Sequence, residues 1–168
     1  HFVQAKGLLS ANTAMNLCRG CTHGCIYCDS RSHCYGFTHA FEDIEVKQNA
    51  PLLLEQRLRA KRDRCMIGTG SMCDPYMHCE EKLQLTRRCL EIIEAYGFGL
   101  AIQTKSDRIL RDLDLIAAIH RKAKAVVQIT LTTHDDRLCR ILEPAVCPTS
   151  RRVQVLEAMQ AAGIPTVV

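Results

Sequence analysis

The stretch CTHGCIYC, residues 21–28, places three cysteines at a C-x3-C-x2-C spacing ahead of a series of strand and helix signals. Three thiolates on one tight loop can hold three irons of a 4Fe-4S cluster, which usually takes four ligands, so the fourth iron stays open to a substrate or cofactor. Gly24 lets the backbone turn closely around such a cluster. The same spacing suits a structural zinc ion with Cys18 or His23 as fourth ligand. The cysteines could also be plain reduced thiols that bind no metal. The spacing alone therefore leaves three interpretations open.

After these cysteines, short apolar runs alternate with amphipathic stretches. The pattern predicts five strands: Met15–Leu17, Cys65–Gly68, Phe98–Gln103, Ala125–Leu131 and Ile164–Val168. It also predicts four helices: Leu52–Lys61, Glu80–Tyr96, one that begins after Asp112 as its cap, and one from Thr149 or Ser150 to Gly163. In the last helix, Val153, Leu156 and Met159 are expected on the apolar face. Strands that alternate with helices favour a parallel β/α architecture with right-handed crossovers.

The near-continuous apolar strands fit a sheet covered on both faces, or a barrel wall. The cysteine loop follows the first strand, at the end where α/β barrels carry their chemistry. Because the sequence stops inside its fifth strand, which would leave an unpaired edge, we expect residues 1–168 to be one domain that lacks its C-terminal end.

Composition narrows the class of protein. With 168 residues, 47% of them apolar, the chain is long enough for a real core and is neither disordered nor fibrous. Its longest apolar runs are too short to span a bilayer, and its first residues lack the pattern of a secretion signal. Eleven cysteines cannot all pair within one chain, so reduced thiols in the cytoplasm are expected. The net charge of +4 neither requires nor excludes nucleic acid.

The cysteine triad, with an aromatic residue before its last cysteine, resembles the radical S-adenosylmethionine (radical SAM) superfamily. The similarity to proteins related to spore photoproduct lyase extends over nearly the whole chain. It is carried by RGCTHGCIYCDSR (19–31), Asp74-Pro75-Tyr76 with Glu80, Leu85-Thr86-Arg87, Thr104-Lys105-Ser106, Arg111-Asp112-Leu113-Asp114 and Glu143-Pro144. The combination is specific, whereas each later motif alone is weak. The resemblance implies a partial TIM-type (β/α)6 barrel, of which about five units are visible here.

The resemblance also implies the chemistry. Cys21, Cys25 and Cys28 would hold a 4Fe-4S cluster whose open iron chelates S-adenosylmethionine. One electron then cleaves the sulfonium bond to give methionine and a 5′-deoxyadenosyl radical, which abstracts hydrogen from an unknown substrate. The protein contributes binding, orientation and the exclusion of water. A one-electron donor such as a ferredoxin or flavodoxin is required.

Residues at the strand ends are candidates for binding the cofactor. In similar proteins the strand end at Ser71 helps to bind the methionine amino group, and Tyr27 would cover the adenine. Asp74 either caps the helix that follows or lines the site. Lys105, at the mouth of a barrel, is well placed for the methionine carboxylate, although a solvated lysine is the simple alternative.

Other candidates have less specific signals. Thr130 or Thr132 could hydrogen-bond the ribose, or reflect only the preference of threonine for strands. Glu143-Pro144 could position loops or contact the cofactor. Arg151 and Arg152, in the first turn of a helix where the dipole does not favour a cation, are candidates to contact a ligand or a carboxylate.

A different class of function stays open at this point: a zinc- or cluster-stabilised binding module without catalysis, for which nucleic acid is a candidate ligand. The basic run at residues 57–64 could contact phosphates, but a solvated helix face is its usual meaning. There is no tryptophan and there are few aromatic residues to stack on bases.

Overall fold

A computed structural model describes all 168 residues, His1–Val168. In chain order its strands are β1 (Phe2–Val3), β2 (Ala14–Met15), β3 (Cys18–Arg19), β4 (Glu45–Lys47), β5 (Met66–Thr69), β6 (Gly99–Thr104), β7 (Ala125–Ile129) and β8 (Thr166–Val167). The α-helices are α1 (Ala50–Ala60), α2 (Glu80–Leu83), α3 (Leu85–Ala95), α4 (Leu113–Ala123), α5 (Asp136–Leu142) and α6 (Thr149–Ala161). Short 3-10 turns cover Asp29–Arg31, His33–Tyr35 and Asp107–Asp112.

The main sheet has five parallel strands in the order β2-β5-β6-β7-β8, with a helix on each of the last three crossovers. This order confirms the predicted parallel β/α architecture: an open part of a barrel that does not close. A second, smaller sheet in the order β1-β4-β3 has no counterpart in the prediction. Its strands of two or three residues are too short to give a periodic signal.

One face of the main sheet packs against the helices, and the other faces an open cavity. Leu100, Ile102 and Val127 are almost completely buried, and they contact a core that includes Leu90 and Ile116. The opposite face carries Gly68, Ala101, Gln103, Val126 and Gln128, which line a cavity of about 590 Å³. The sheet is therefore covered on one face only, and its concave inner face carries small and polar side chains.

The predicted helix Glu80–Tyr96 is interrupted at Gln84, which has a left-handed φ of 48°. The break has a local cause. The Glu80 carboxylate accepts hydrogen bonds from the backbone N–H groups of Leu85 and Thr86, at 2.9 and 3.0 Å. It thereby caps the first turn of α3 from outside that helix, and α2 must stop to allow this.

Two further predictions about helices need correction. Asp112 precedes α4 but its side chain makes no capping hydrogen bond, because both of its oxygens accept from arginine and tyrosine side chains. In α6 the buried side chains are Thr149, Arg152, Val155 and Met159. Val153 is 39% exposed, because α6 turns Arg152 inward instead. None of the helices combines the length and hydrophobicity that a membrane-spanning segment needs.

Candidate functional site

A solvent-open cavity of about 440 Å³ lies at the carboxyl ends of β5, β6 and β7. The cysteine loop contributes Cys21, Cys25 and Cys28 to its lining. Ser71, Asp74, Lys105 and Thr130, from the three strand ends, line the same cavity. Parallel strands present their carboxyl ends at one edge of a sheet, so residues far apart in sequence meet there. The structure thus brings these seven predicted residues together, whereas Tyr27 lies at the edge of the cavity and the further candidates Thr132, Glu143 and Arg152 lie outside its lining.

The cysteine loop folds back tightly over the strand ends. Gly20 and Gly24 have φ values of 87° and 70°, in the left-handed region that favours glycine. A Cβ on Gly20 would lie 2.3 Å from the Phe41 carbonyl oxygen, so the close approach of these backbones requires glycine. Burial raises the pKa of the Cys21 thiol to about 11, although the backbone N–H groups of His23 and Asp74 act in the opposite direction. Burial also raises the pKa of Cys25.

The donor set fits an iron–sulfur cluster. No three His, Cys, Asp or Glu side chains converge on one position that a single metal ion could occupy. Zinc needs such a point, whereas the cysteines of a cluster bind different irons and stand further apart. Cys18, a possible fourth zinc ligand, lines a separate cavity together with Cys79. Cys18 is therefore not among the side chains that line the cysteine cavity.

His23, the other possible zinc ligand, is 2% exposed and lies in the lining of the cavity. Its Nδ1 lies 3.4 Å from the Asp74 carboxylate, and its Nε2 is buried without a protein partner. Burial lowers the pKa of His23, so the ring is neutral near pH 7 despite that carboxylate. One ring nitrogen thus keeps unused hydrogen-bonding capacity beside the three thiols, which suits a bound group there.

Asp74 organises the ends of two strands. Its Oδ1 accepts hydrogen bonds from Tyr76 N at 2.8 Å and from Thr104 Oγ1 at 2.7 Å. Its Oδ2 accepts from the backbone N–H of Lys105 at 2.8 Å. Asp74 therefore lines the cavity and satisfies the turn that follows β5; the alternative prediction of a helix cap is wrong, because the next helix begins only at Glu80. Asp74 fixes the backbone from which the Lys105 side chain extends.

Lys105 and Tyr27 lie next to each other at the mouth of the cavity. The Lys105 ammonium lies 5.9 Å from the centre of the Tyr27 ring, a distance at which cation–π attraction acts. Thr130 lines the cavity, whereas the Thr132 hydroxyl donates to Glu143 at 2.7 Å. Of the two threonines considered for the ribose, only Thr130 is therefore placed for it. Ser71 follows Gly70, whose φ of 104° lets the chain pass close to β6.

Below the cavity, buried charges join several motifs of the resemblance into one network, which we call the carboxylate frame: Glu80, Asp112, Arg87 and Arg111, with Tyr76. Asp112 is fully buried and accepts from Arg87 at 2.8 Å, Arg111 at 2.8 Å and the Tyr76 hydroxyl at 3.0 Å. Arg111 also binds Glu80 at 2.8 Å. The frame holds Tyr76, and hence the turn at Asp74, against α3 and α4. Sequence reasoning listed these residues but missed their contacts.

A second buried carboxylate, Glu143, lies beside the cysteine loop and pairs with Arg152 at 2.6 Å. This is the carboxylate contact considered for Arg152. The basic run at residues 57–64 lies at the other end of the sheet: it precedes the start of β5, whereas the cavity follows the end of that strand. It is mostly exposed, with the Arg64 guanidinium over the Phe98 ring. The cavity does not include it.

Comparison with known proteins agrees with the resemblance found in the sequence. The family model of the radical SAM superfamily matches residues 15–168. An uncharacterized protein of Mycobacterium tuberculosis is 30% identical over an alignment of 159 residues, which covers 87% of this chain and 45% of that protein. One of Methanocaldococcus jannaschii is 30% identical over 157 residues, 92% of this chain and 57% of the relative. The chain thus spans about half the length of these relatives.

Solved structures of spore photoproduct lyase share the fold. A complex with dinucleoside spore photoproduct has a TM-score of 0.64 at 16% identity, over 98% of this chain and 48% of the lyase chain. A lyase variant with bound S-adenosylmethionine and dinucleoside spore photoproduct has a TM-score of 0.58 at 17% identity, over 92% of this chain and 43% of that chain. At this identity, the likeness concerns the fold.

Proposed function

Because this chain belongs to the radical SAM superfamily, we propose that its cavity binds a 4Fe-4S cluster and S-adenosylmethionine for radical chemistry on a substrate yet to be identified. When bound, these groups supply one-electron cleavage of the sulfonium bond, which yields methionine and a 5′-deoxyadenosyl radical able to abstract hydrogen. The observation that carries the proposal is the meeting of Cys21, Cys25 and Cys28 with Ser71 and Lys105 in one cavity.

The residues divide the task of binding. The three cysteines of the loop would hold three irons and leave one iron for the methionine end of the cofactor; Cys73, outside the C-x3-C-x2-C spacing, also lines the cavity. Lys105 supplies the cation suited to the methionine carboxylate. Its backbone is fixed by the Asp74 carboxylate, at 2.8 Å, so its position does not depend on the ligand. Ser71 and Thr130 are the hydroxyl groups available to the amino group and the ribose.

The inner face of the sheet is the side on which we place the substrate. Its cavity shares Ser71 and Gln103 with the cysteine cavity, so a hydrogen atom of a molecule bound there could come close to the cofactor. The two glutamines on this face, Gln103 and Gln128, offer neutral donors and acceptors. A one-electron carrier such as a ferredoxin or flavodoxin would supply the reducing electron.

The test is anaerobic reconstitution of the full-length protein with iron and sulfide, followed by dithionite and S-adenosylmethionine. We expect about four irons per chain and formation of 5′-deoxyadenosine. Cys25→Ala should abolish both, whereas Cys34→Ala, the matched control, should retain both because Cys34 is exposed and outside the cavity. About one zinc per chain with no sulfide would contradict the proposal and favour a zinc-stabilised binding module. A cluster without cofactor cleavage would leave only a structural or electron-transfer role.

A further inference from the structure

Glu143 and Arg152 form a buried ion pair whose side chains are 0% and 1% exposed. A buried pair of this kind contributes little net stability, because the cost of removing both charges from water offsets their attraction. Well-packed apolar side chains could fill the same space at least as favourably. The pair therefore calls for an explanation other than stability, and the remaining contacts of Glu143 suggest one.

The second oxygen of Glu143 reaches the cysteine loop. Glu143 Oε1 accepts hydrogen bonds from the Thr132 hydroxyl, at 2.7 Å, and from the Tyr27 hydroxyl. Tyr27 lies between two of the cysteines, next to Cys28. An apolar side chain in place of Glu143 could fill the space but could not accept these two hydrogen bonds.

Arg152 in turn holds the chain around the site. Besides Glu143, it donates to the carbonyl oxygens of Thr130, at 2.9 Å, and Cys147, at 3.0 Å. Thr130 is one of the residues that line the cysteine cavity. A single buried side chain from α6 thus joins the end of β7, the segment before α6 and, through Glu143, the cysteine loop.

The backbone around Glu143 supports the same loop. Ile26 N donates to Leu142 O at 3.0 Å, and Ala145 N donates to His23 O at 3.2 Å. Gly24 lies so close to Pro144 that a Cβ on Gly24 would be 3.2 Å from the proline ring. Segment 142–145 therefore packs against the cysteine loop and supports it on the side away from the cavity.

We propose that Glu143 and Arg152 are positioning residues that fix the cysteine loop, and through Tyr27 the mouth of the cavity, in the geometry that binds the cluster and S-adenosylmethionine. The proposal rests on the function proposed above. The carboxylate holds the Tyr27 hydroxyl, and the Tyr27 ring faces the Lys105 ammonium. An anchor on α6 therefore places the Tyr27 ring beside the cation that would bind the methionine carboxylate, while Asp74 holds the backbone of that lysine.

The first measurement is amide hydrogen exchange without added iron, which does not depend on the cofactors. The double variant Glu143→Met with Arg152→Met removes both charges, so no unpaired charge is left buried, and it also removes the acceptor of the Tyr27 hydroxyl. We expect exchange in residues 21–28 to become about tenfold faster, the factor for one lost hydrogen bond to a charged group, while β6 exchanges at its former rate. Arg151→Met is the matched control, since Arg151 is exposed and pairs with Asp107 on the surface; its exchange should not change.

The second measurement uses the reconstituted protein. We expect the double variant to need about tenfold more S-adenosylmethionine to change the EPR spectrum of the reduced cluster. Tyr27→Phe, which leaves the ion pair intact, should accelerate exchange in residues 21–28 as well. Tyr27→Phe therefore tests whether Glu143 holds the cysteine loop through Tyr27 even if the double variant does not fold.

Unchanged exchange in residues 21–28, in either variant, would overturn the proposal. Acceleration spread evenly over β6 and the loop would do the same, because it would show a general loss of stability. If the unaltered protein takes up no iron, the proposed function fails, but the exchange rates still decide whether Glu143 positions the loop.

Discussion

Two aspartates on either side of Leu113 provide a test of the carboxylate frame with its own control. Both contact Arg87, but Asp112 is fully buried and Asp114 is 69% exposed. Asp112→Asn keeps the size of the side chain and removes its charge, which leaves Arg87 and Arg111 without their shared carboxylate. Asp114→Asn makes the same chemical change on the surface.

The expected magnitudes follow from burial. Removing one partner of a buried ion pair costs about 3–5 kcal/mol. Arg87 and Arg111 retain 28% and 30% exposure of their side chains, so water can solvate part of the orphaned charge. We therefore expect the lower end, about 3 kcal/mol, or a fall in Tm of roughly 6–12 °C for a chain of this size. For Asp114→Asn the loss should be about 0.5 kcal/mol, a fall of roughly 1–2 °C.

The assay is thermal unfolding followed by far-UV circular dichroism at pH 7, with reductant present to keep the cysteines as thiols. Equal shifts for Asp112→Asn and Asp114→Asn would refute the reasoning, because burial would then make no difference to the value of a contact with Arg87. A large shift for Asp114→Asn alone would place the important carboxylate on the surface.

Three further predictions concern the cavity and its supports. Gly70→Ala should lower the free energy of unfolding by about 4 kcal/mol, because the new Cβ would lie 2.0 Å from a carbonyl oxygen of β6 and the residue has a φ of 104°. Gly97→Ala is the control: its surroundings are open, so only the positive φ opposes the change and the cost should be about 1–2 kcal/mol. Hydrogen bonds from Tyr27, Thr132 and Arg152 outweigh burial and lower the pKa of Glu143 below its ordinary value of 4.5. The stability that the Glu143 carboxylate contributes to the fold is therefore complete above pH 4.5 and is lost as the pH falls through the lowered pKa. Between pH 6 and pH 3, the unfolding midpoint of the double variant of Glu143 and Arg152 should therefore fall less steeply than that of the unaltered protein. Asp74→Asn should weaken the binding of S-adenosylmethionine about tenfold in a spectroscopic titration of the reconstituted protein, through the loss of one charge-assisted hydrogen bond; unchanged affinity would contradict the role of Asp74.

Elements with a long, one-sided apolar pattern could be predicted from the sequence. In α3, Leu90 and Ile93 are buried as their spacing requires, and Gly97 ends the helix with a φ of 66°. The short helix α5 was missed because only Cys139 within it is buried, which leaves no periodicity to detect. Its one sequence signal is Asp135, which accepts hydrogen bonds from the N–H groups of Arg137 and Leu138 as an N-cap.

The candidate site could be predicted where position along the chain determines position in space. Ser71, Lys105 and Thr130 each follow a parallel strand, and the sheet brings such residues to one edge. The pair Glu143–Arg152 could not be predicted in this way. Hydrophobic patterning places charged residues on the surface, so it put Val153 on the apolar face of α6 although Met159 alone of the predicted positions is fully buried, and it gave no sign that Arg152 points inward.

The buried pairs also decide what the similarity to spore photoproduct lyase can mean. Apart from Asp74, Lys105 and the cysteine loop, the residues that carry it lie largely in the carboxylate frame or around Glu143. Asp112 is fully buried and pairs with both Arg87 and Arg111, so removing its carboxylate leaves two cations without their shared partner, whatever reaction the protein catalyses. A shared frame is therefore an argument for a shared fold. The side chains of the inner face, such as Gln103 and Gln128, line a cavity outside that frame and can change one at a time. These side chains, and not the motifs that first suggested the family, are therefore the ones to vary when the proposed binding of a substrate to this face is tested.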